Sequence, residues 1–152
     1  MELVINNKKK VNAKTAFDIR RISDGDRIKK GTICLSIVAI IDILLSFLDL
    51  KRGLLMLGTL MIVYIYVIVI NINKGRKLIA VFDGVVISAE DNIIRMGNGT
   101  FSYTDINQIV IDNDFIVIKI GKISIPILVV DECREDVITL VELIKNKGVY
   151  YG

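Results

Sequence analysis

Residues 54–70 read LLMLGTLMIVYIYVIVI, a run of 17 residues without a charge. A helix needs roughly 17–25 mostly apolar residues to cross the hydrocarbon core of a bilayer. A core helix of a soluble protein would carry a polar residue at every third or fourth position, and this run carries almost none. We therefore predict a membrane span over residues 54–70.

A second apolar run precedes this one. Residues 32–48 read TICLSIVAIIDILLSFL and carry one charge, Asp42. The link between the two runs is so short that the two helices must be antiparallel neighbours. We predict a two-helix transmembrane hairpin over residues 32–73, with a basic cytoplasmic arm over residues 1–31 before it and a second domain over residues 77–152 after it.

The charges are unevenly distributed along the chain, although its net charge is only +3. The arm has nine Lys or Arg and four Asp or Glu, whereas residues 77–152 have seven and eleven. Because cytoplasmic segments of membrane proteins are enriched in Lys and Arg, we predict that both termini lie in the cytoplasm. The acidic C-terminal half argues against nucleic-acid binding, which needs clustered cations.

One ionisable residue lies inside the predicted hairpin. Asp42 is about 15 Å along its helix from the cytoplasmic end, at a depth where a charge is costly. The same depth on the second span falls near Leu60, where Thr59 offers a hydroxyl donor and Gly58 allows close approach. Two interpretations stay open: a carboxyl group that locks the hairpin or a homo-oligomer together, and a proton or ion relay in an oligomer.

The C-terminal half contains short apolar runs separated by turn residues, and apolar side chains alternate most clearly over residues 115–120 and 122–127. This pattern is typical of an antiparallel meander with one buried face. The predicted first hairpin turns at Asp83-Gly84. We predict about seven strands, over residues 78–82, 85–88, 93–96, 100–103, 109–112, 115–120 and 122–127.

A helix over residues 132–147 is predicted to close this sheet. Glu132, Glu135 and Asp136 suit its first turn, and lysines suit its last turn, because these charges complement the helix dipole. Apolar residues at i, i+3, i+4 and i+7 form a stripe that can pack on the sheet. These four residues are Val137, Leu140, Val141 and Ile144.

Four short segments carry a resemblance to a known family: Phe82-Asp83-Gly84-Val85, Phe101 to Ile106, Asp112 to Phe115, and Ile125-Pro126. With two preceding spans, they resemble the YcxB-like membrane proteins of bacteria, whose cytoplasmic part is similar to a pleckstrin-homology (PH) domain. The resemblance implies an α+β protein of the bacterial cell membrane, with a PH-like antiparallel β domain after the hairpin. It brings no assigned activity.

The composition excludes several kinds of chemistry. The chain has no His, so imidazole-based acid–base catalysis and imidazole metal sites are excluded. Its two Cys cannot form a four-thiolate metal site. No phosphate-binding loop, nucleophile elbow or dinucleotide motif is present. We therefore predict no enzymatic activity, no catalytic or metal site, and no cofactor.

Two surfaces remain as candidates for binding. Glu132, Glu135 and Asp136 are predicted to contact an unknown protein partner. Cations of the arm are predicted to contact anionic lipid at the bilayer surface; they are Lys8, Lys9, Lys10, Arg20, Arg21, Lys29 and Lys30.

The predicted function is a membrane-anchored binding or regulatory module that presents its PH-like domain to a cytoplasmic partner. Two alternatives are an immunity or self-protection protein that acts through its hairpin, and a small channel or transporter subunit.

Overall fold

The computed structural model is an α+β chain with two antiparallel sheets. It describes residues 1–7, 11–46, 50–90 and 93–147, without the side chains of residues 45, 46, 50, 52 and 132. The helices are α1 (Ala13–Ser23), α2 (Gly25–Ser46), α3 (Leu50–Val81) and α4 (Arg134–Lys147). The strands are β1 (Glu2–Val4), β2 (Val86–Ala89), β3 (Ile93–Met96), β4 (Gly99–Ser102), β5 (Ile106–Ile111), β6 (Phe115–Ile120) and β7 (Ile123–Leu128).

The first strand and the second are neighbours in space although three helices separate them in sequence. Sheet A has the order β1-β2-β3-β4, and sheet B has the order β5-β6-β7. Leu3 of β1 lies opposite Ile87 of β2, and the N-terminal amine donates a hydrogen bond of 3.0 Å to the carbonyl of Ala89. The chain therefore leaves sheet A after one strand, forms α1 to α3, and returns to complete the sheet.

The main core lies between the two sheets and α4. Ile87 and Ile94 of sheet A and Ile118 of sheet B are fully buried there. The four-residue stripe predicted on the C-terminal helix is confirmed, because every member is buried in the same core. Burying one such aliphatic side chain stabilises the fold by roughly 1.5–3 kcal/mol.

Strand β6 is buried on both faces, so the prediction of one buried face is wrong for this strand. Phe115 and Val117 point away from the main core and form a second cluster with Ala16 and Ile19 of α1 and Ile79 of α3. The second face is covered because α1 and the end of α3 pack on the outer side of sheet B.

The predicted strand over residues 78–82 is also wrong. Residues 78–81 form the last turn of α3, and Asp83 and Gly84 connect this helix to β2. Gly84 has a φ of +76°, the left-handed conformation that commonly ends a helix. A run of five apolar residues does not distinguish a strand from a helix end by periodicity alone. The described residues still form seven strands, because β1 at the N-terminus, within the predicted arm, takes the place of the strand predicted over residues 78–82.

Helix α1 packs closely against the C-terminal part of α3. A methyl group on Gly75 would lie 2.7 Å from the carbonyl carbon of Ala16 and closer still to its oxygen. Only glycine permits this approach of the two backbones. α1 therefore fixes the end of α3 against sheet B.

Helix α2 contacts the other part of α3. Thr32 and Ala39 of α2 and Leu57 and Tyr64 of α3 line a common groove. Since Ala16 meets Gly75 while the later residues 32–39 meet the earlier residues 57–64, the α1–α2 segment and α3 run in opposite directions.

One helix in the described part of the chain is long and apolar enough to cross a membrane. This segment is Gly53–Val81, whose most apolar window has a mean hydropathy of 2.5 and is only 6% buried within the chain. The other predicted span, residues 32–48, extends past Ser46 and so lies partly outside the described residues.

Candidate functional site: a basic collar where the helices meet the sheets

A buried asparagine, Asn7, joins the N-terminal segment to the end of α3 and to β7. The side-chain amide of Asn7 donates to the carbonyls of Ile79 (3.0 Å) and Pro126 (3.2 Å). Its carbonyl oxygen accepts from the backbone N–H of Leu128 at 3.1 Å. The backbone N–H of Asn7 donates to Asp83 Oδ1 at 2.8 Å. The N-terminal segment, the end of α3 and β7 are therefore held at one point.

Helix α1 owes its position to a cap and an apolar face. The side chain of Asn12 accepts a hydrogen bond of 2.7 Å from the N–H of Thr15, which satisfies one free donor of the first turn. Ala16 and Ile19, three residues apart on one face, are both fully buried. The opposite face, which carries Arg21, is exposed.

Two basic segments lie on the side of the α2–α3 groove that is nearer to the sheets, one before Thr32 and one after Tyr64. We call the exposed cations of residues 21–30 and 74–77 the basic collar. Its members are Arg21 at the end of α1, Arg27, Lys29 and Lys30 in the first turns of α2, and Lys74, Arg76 and Lys77 in α3.

Two groups among the predicted lipid contacts are not members of the collar. Arg20 is half-buried, and its guanidinium forms an ion pair with Asp24 on the same helix. Its Nε atom is buried and has no hydrogen-bond partner among the described residues. The guanidinium of Arg20 therefore interacts within the chain and is less available to lipid than the exposed cations. Lys8, Lys9 and Lys10 lie outside the described residues.

The structure does not bring Asp42, Thr59 and Gly58 together. Asp42 is only 8% exposed. Thr59 is exposed and donates to the carbonyl of Leu55 in its own helix at 2.9 Å. A methyl group on Gly58 would meet nothing within 4 Å, so this glycine does not mediate close packing within the chain.

The alignment of α2 with α3 explains this difference. The sequence suggested that Asp42 lies level with Leu60. In the structure, Thr32 and Ala39 of α2 line one groove with Leu57 and Tyr64 of α3. Because the two helices run in opposite directions, Asp42, three residues after Ala39, comes level with the first turns of α3, before Gly58 and Thr59.

The acidic start of α4 is exposed, as a partner surface must be. Glu135 and Asp136 lie in its first turn. Ile138 is exposed close by, on the same outer side of the helix as Glu135. The side chain of Glu132 lies outside the described residues. The two acids also favour the helix dipole, so part of their role is structural.

Among the side chains that the structure describes, no group of three or more His, Cys, Asp or Glu could hold a metal ion. The absence of enzymatic activity stays a prediction.

The chain matches no family model, no curated protein and no solved structure.

Proposed function

We propose that this chain is a two-span protein of the bacterial cell membrane that holds a PH-like domain at the cytoplasmic surface and presents it to a protein partner. One observation carries the proposal. Helix α3 is uninterrupted from its exposed apolar part to Ile79, which is buried against sheet B. Anchor and domain are thus joined without a flexible linker, and the domain keeps a fixed orientation to the helix.

The dimensions of α3 support this arrangement. Its 32 residues extend about 48 Å, whereas the hydrocarbon core of a bilayer is about 30 Å thick. The remaining length reaches past the bilayer surface. Lys74 lies four residues after Ile70, or about 6 Å, which is where lipid headgroups begin.

Helix α2 supports a second span. Its exposed side chains include Ile37, Ile40 and Leu44, which would form a costly apolar surface in water. It also contacts α3 in antiparallel order. The basic collar then lies at the end of both helices that meets the domain, which favours a cytoplasmic location for both termini.

The arrangement of strands supports a PH-like domain. The chain has a four-stranded sheet, a three-stranded sheet and a C-terminal helix, which agree with what the sequence resemblance implies. In this interpretation the helices are an insertion between the first and second strands of the domain. Similarity to the YcxB-like family stays a prediction.

Thiol labelling tests the membrane topology. Cys34 and Cys133 are replaced by Ser, and single cysteines are introduced as Lys51→Cys and Lys145→Cys. A membrane-impermeant maleimide should label residue 51 in intact cells and residue 145 only after permeabilisation. Equal labelling of the two positions in intact cells would contradict the topology.

Partner binding is tested with the full-length protein in mild detergent. Glu135→Lys combined with Asp136→Lys should abolish capture of a cytoplasmic protein. Glu142→Lys, an exposed acid later in α4, serves as the matched control and should leave capture intact. If the double variant captures the same protein as the wild type, the acidic surface is not the binding surface.

A further inference from the structure

An open groove separates α2 and α3 along the part of the helices that the proposed function places in the bilayer. Its volume is about 280 Å³. The hydroxyls of Thr32 and Ser36 donate to carbonyls of their own helix at 3.0 and 2.9 Å, which leaves the walls mostly apolar. The groove is lined by Thr32, Ser36 and Ala39 of α2 and by Leu57, Leu60 and Tyr64 of α3.

A groove of this kind does not stay empty in a bilayer. Wall atoms without neighbours would lose their dispersion contacts. The surrounding medium consists of acyl chains, which are as apolar as the leucines of the wall. A single acyl chain is flexible and narrow enough to lie between two helices.

The charges at one end of the groove select the headgroup. Lys29 precedes Thr32 by three residues, so both lie on the same face of α2, about 4.5 Å apart along the axis. Lys30 is adjacent, and both lysines are exposed. A chain in the groove would therefore place its own headgroup beside two cations of the collar.

We propose that the groove binds one acyl chain of an anionic phospholipid, whose headgroup is held by Lys29 and Lys30. This inference rests on the proposed function, because it requires the helices to lie in a bilayer. It differs from general attraction to an anionic surface, because it assigns one lipid to one groove and predicts no preference elsewhere on α3.

Tryptophan quenching by brominated lipid tests the inference, since the chain contains no Trp. Tyr64→Trp places the reporter on the groove wall. Tyr66→Trp is the matched control, because two residues further along a helix the side chain faces the opposite side. Each full-length variant is reconstituted with equal amounts of phosphatidylglycerol and phosphatidylcholine, and one of the two lipids carries dibrominated chains.

At residue 64, brominated phosphatidylglycerol should be preferred about 30-fold, because each of the two lysines contributes about 1 kcal/mol near a membrane surface. At residue 66 the two brominated lipids should quench the tryptophan to about the same extent. Lys29→Gln with Lys30→Gln should abolish the preference at residue 64. Lys77→Gln, an exposed cation on a face of α3 away from the groove, should not.

Equal preference at residues 64 and 66 would overturn the lipid site. Quenching at residue 66 without quenching at residue 64 would also overturn it, and would indicate that a second copy of the chain fills the groove. If neither position is quenched, the helices do not lie in the bilayer, and the proposed function fails as well.

Discussion

The junction between α1 and α3 depends on the absence of a side chain at residue 75. In Gly75→Ala, the new methyl group would lie 2.7 Å from the carbonyl carbon of Ala16 and 3.3 Å from its Cα. These are backbone atoms, which no rotamer change can move away. Helix α1 must shift to restore ordinary contact, and the shift disturbs the packing of Ile19 on sheet B.

Helix propensity and overpacking change the free energy of unfolding of Gly75→Ala in opposite directions. Helix propensity alone favours Ala over Gly by about 1 kcal/mol. Overpacking a well-packed site costs about 1–3 kcal/mol, and more when backbone must move. Partial exposure of Ile19 adds to the loss, since its full burial contributes roughly 1.5–3 kcal/mol. We expect a net loss of about 2 kcal/mol, which lowers Tm by about 4–8 °C.

The assay is thermal unfolding of the full-length protein in mild detergent, combined with hydrogen exchange of α1. Amides of Ala13–Ser23 should exchange faster in Gly75→Ala. Gly58→Ala is the matched control on the same helix, because its methyl group would meet nothing within 4 Å. It should be neutral or stabilising by up to about 1 kcal/mol.

A Gly75→Ala variant as stable as the wild type, with unchanged exchange in α1, would refute the docking of α1 on α3.

Three further predictions concern other parts of the chain. Asn7→Ala should lower stability by about 1–3 kcal/mol or more, because it leaves buried backbone groups without partners; an unchanged unfolding temperature would contradict the role of this side chain. Asp42→Asn should leave expression and partner capture unchanged, whereas the channel or transporter alternative requires loss of function in this variant. Glu135→Lys with Asp136→Lys should abolish partner capture and cost about 1 kcal/mol or less per residue in thermal unfolding, while Glu142→Lys should do neither.

Local patterns predicted the elements whose bounds are marked by neighbouring residues. Strand β6 was predicted at its observed bounds, because turn residues flank it and isoleucines alternate along it at residues 116, 118 and 120. The buried stripe of α4 was predicted because helical spacing selects one face.

Elements that depend on distant partners were not predicted. Strand β1 has three residues, and its pairing partner β2 begins only at Val86, so no local pattern reveals it. The hydrogen bonds of Asn7 depend on three separate segments, and the residue itself looks like any polar residue near the N-terminus. The outer cover of β6 depends on α1, whose docking is determined by Gly75.

The candidate site was predicted in part for the same reason. The cations of the collar were visible in the sequence, but their place beside the groove depends on how α2 packs on α3. The predicted cluster around Asp42 was wrongly aligned, because a shift of a few residues between two antiparallel helices changes every facing pair.

The most direct test of the central claim is a depth profile of spin labels along α3 in the full-length protein, reconstituted in vesicles with Cys34 and Cys133 replaced by Ser. Labels are placed at three exposed positions, Leu55, Ile62 and Val81. We expect Ile62 to be the most accessible of the three to oxygen and the least accessible to a water-soluble nickel chelate, and Val81 to show the reverse. Equal access of the chelate to Ile62 and Val81 would contradict a helix that passes from the bilayer into the domain.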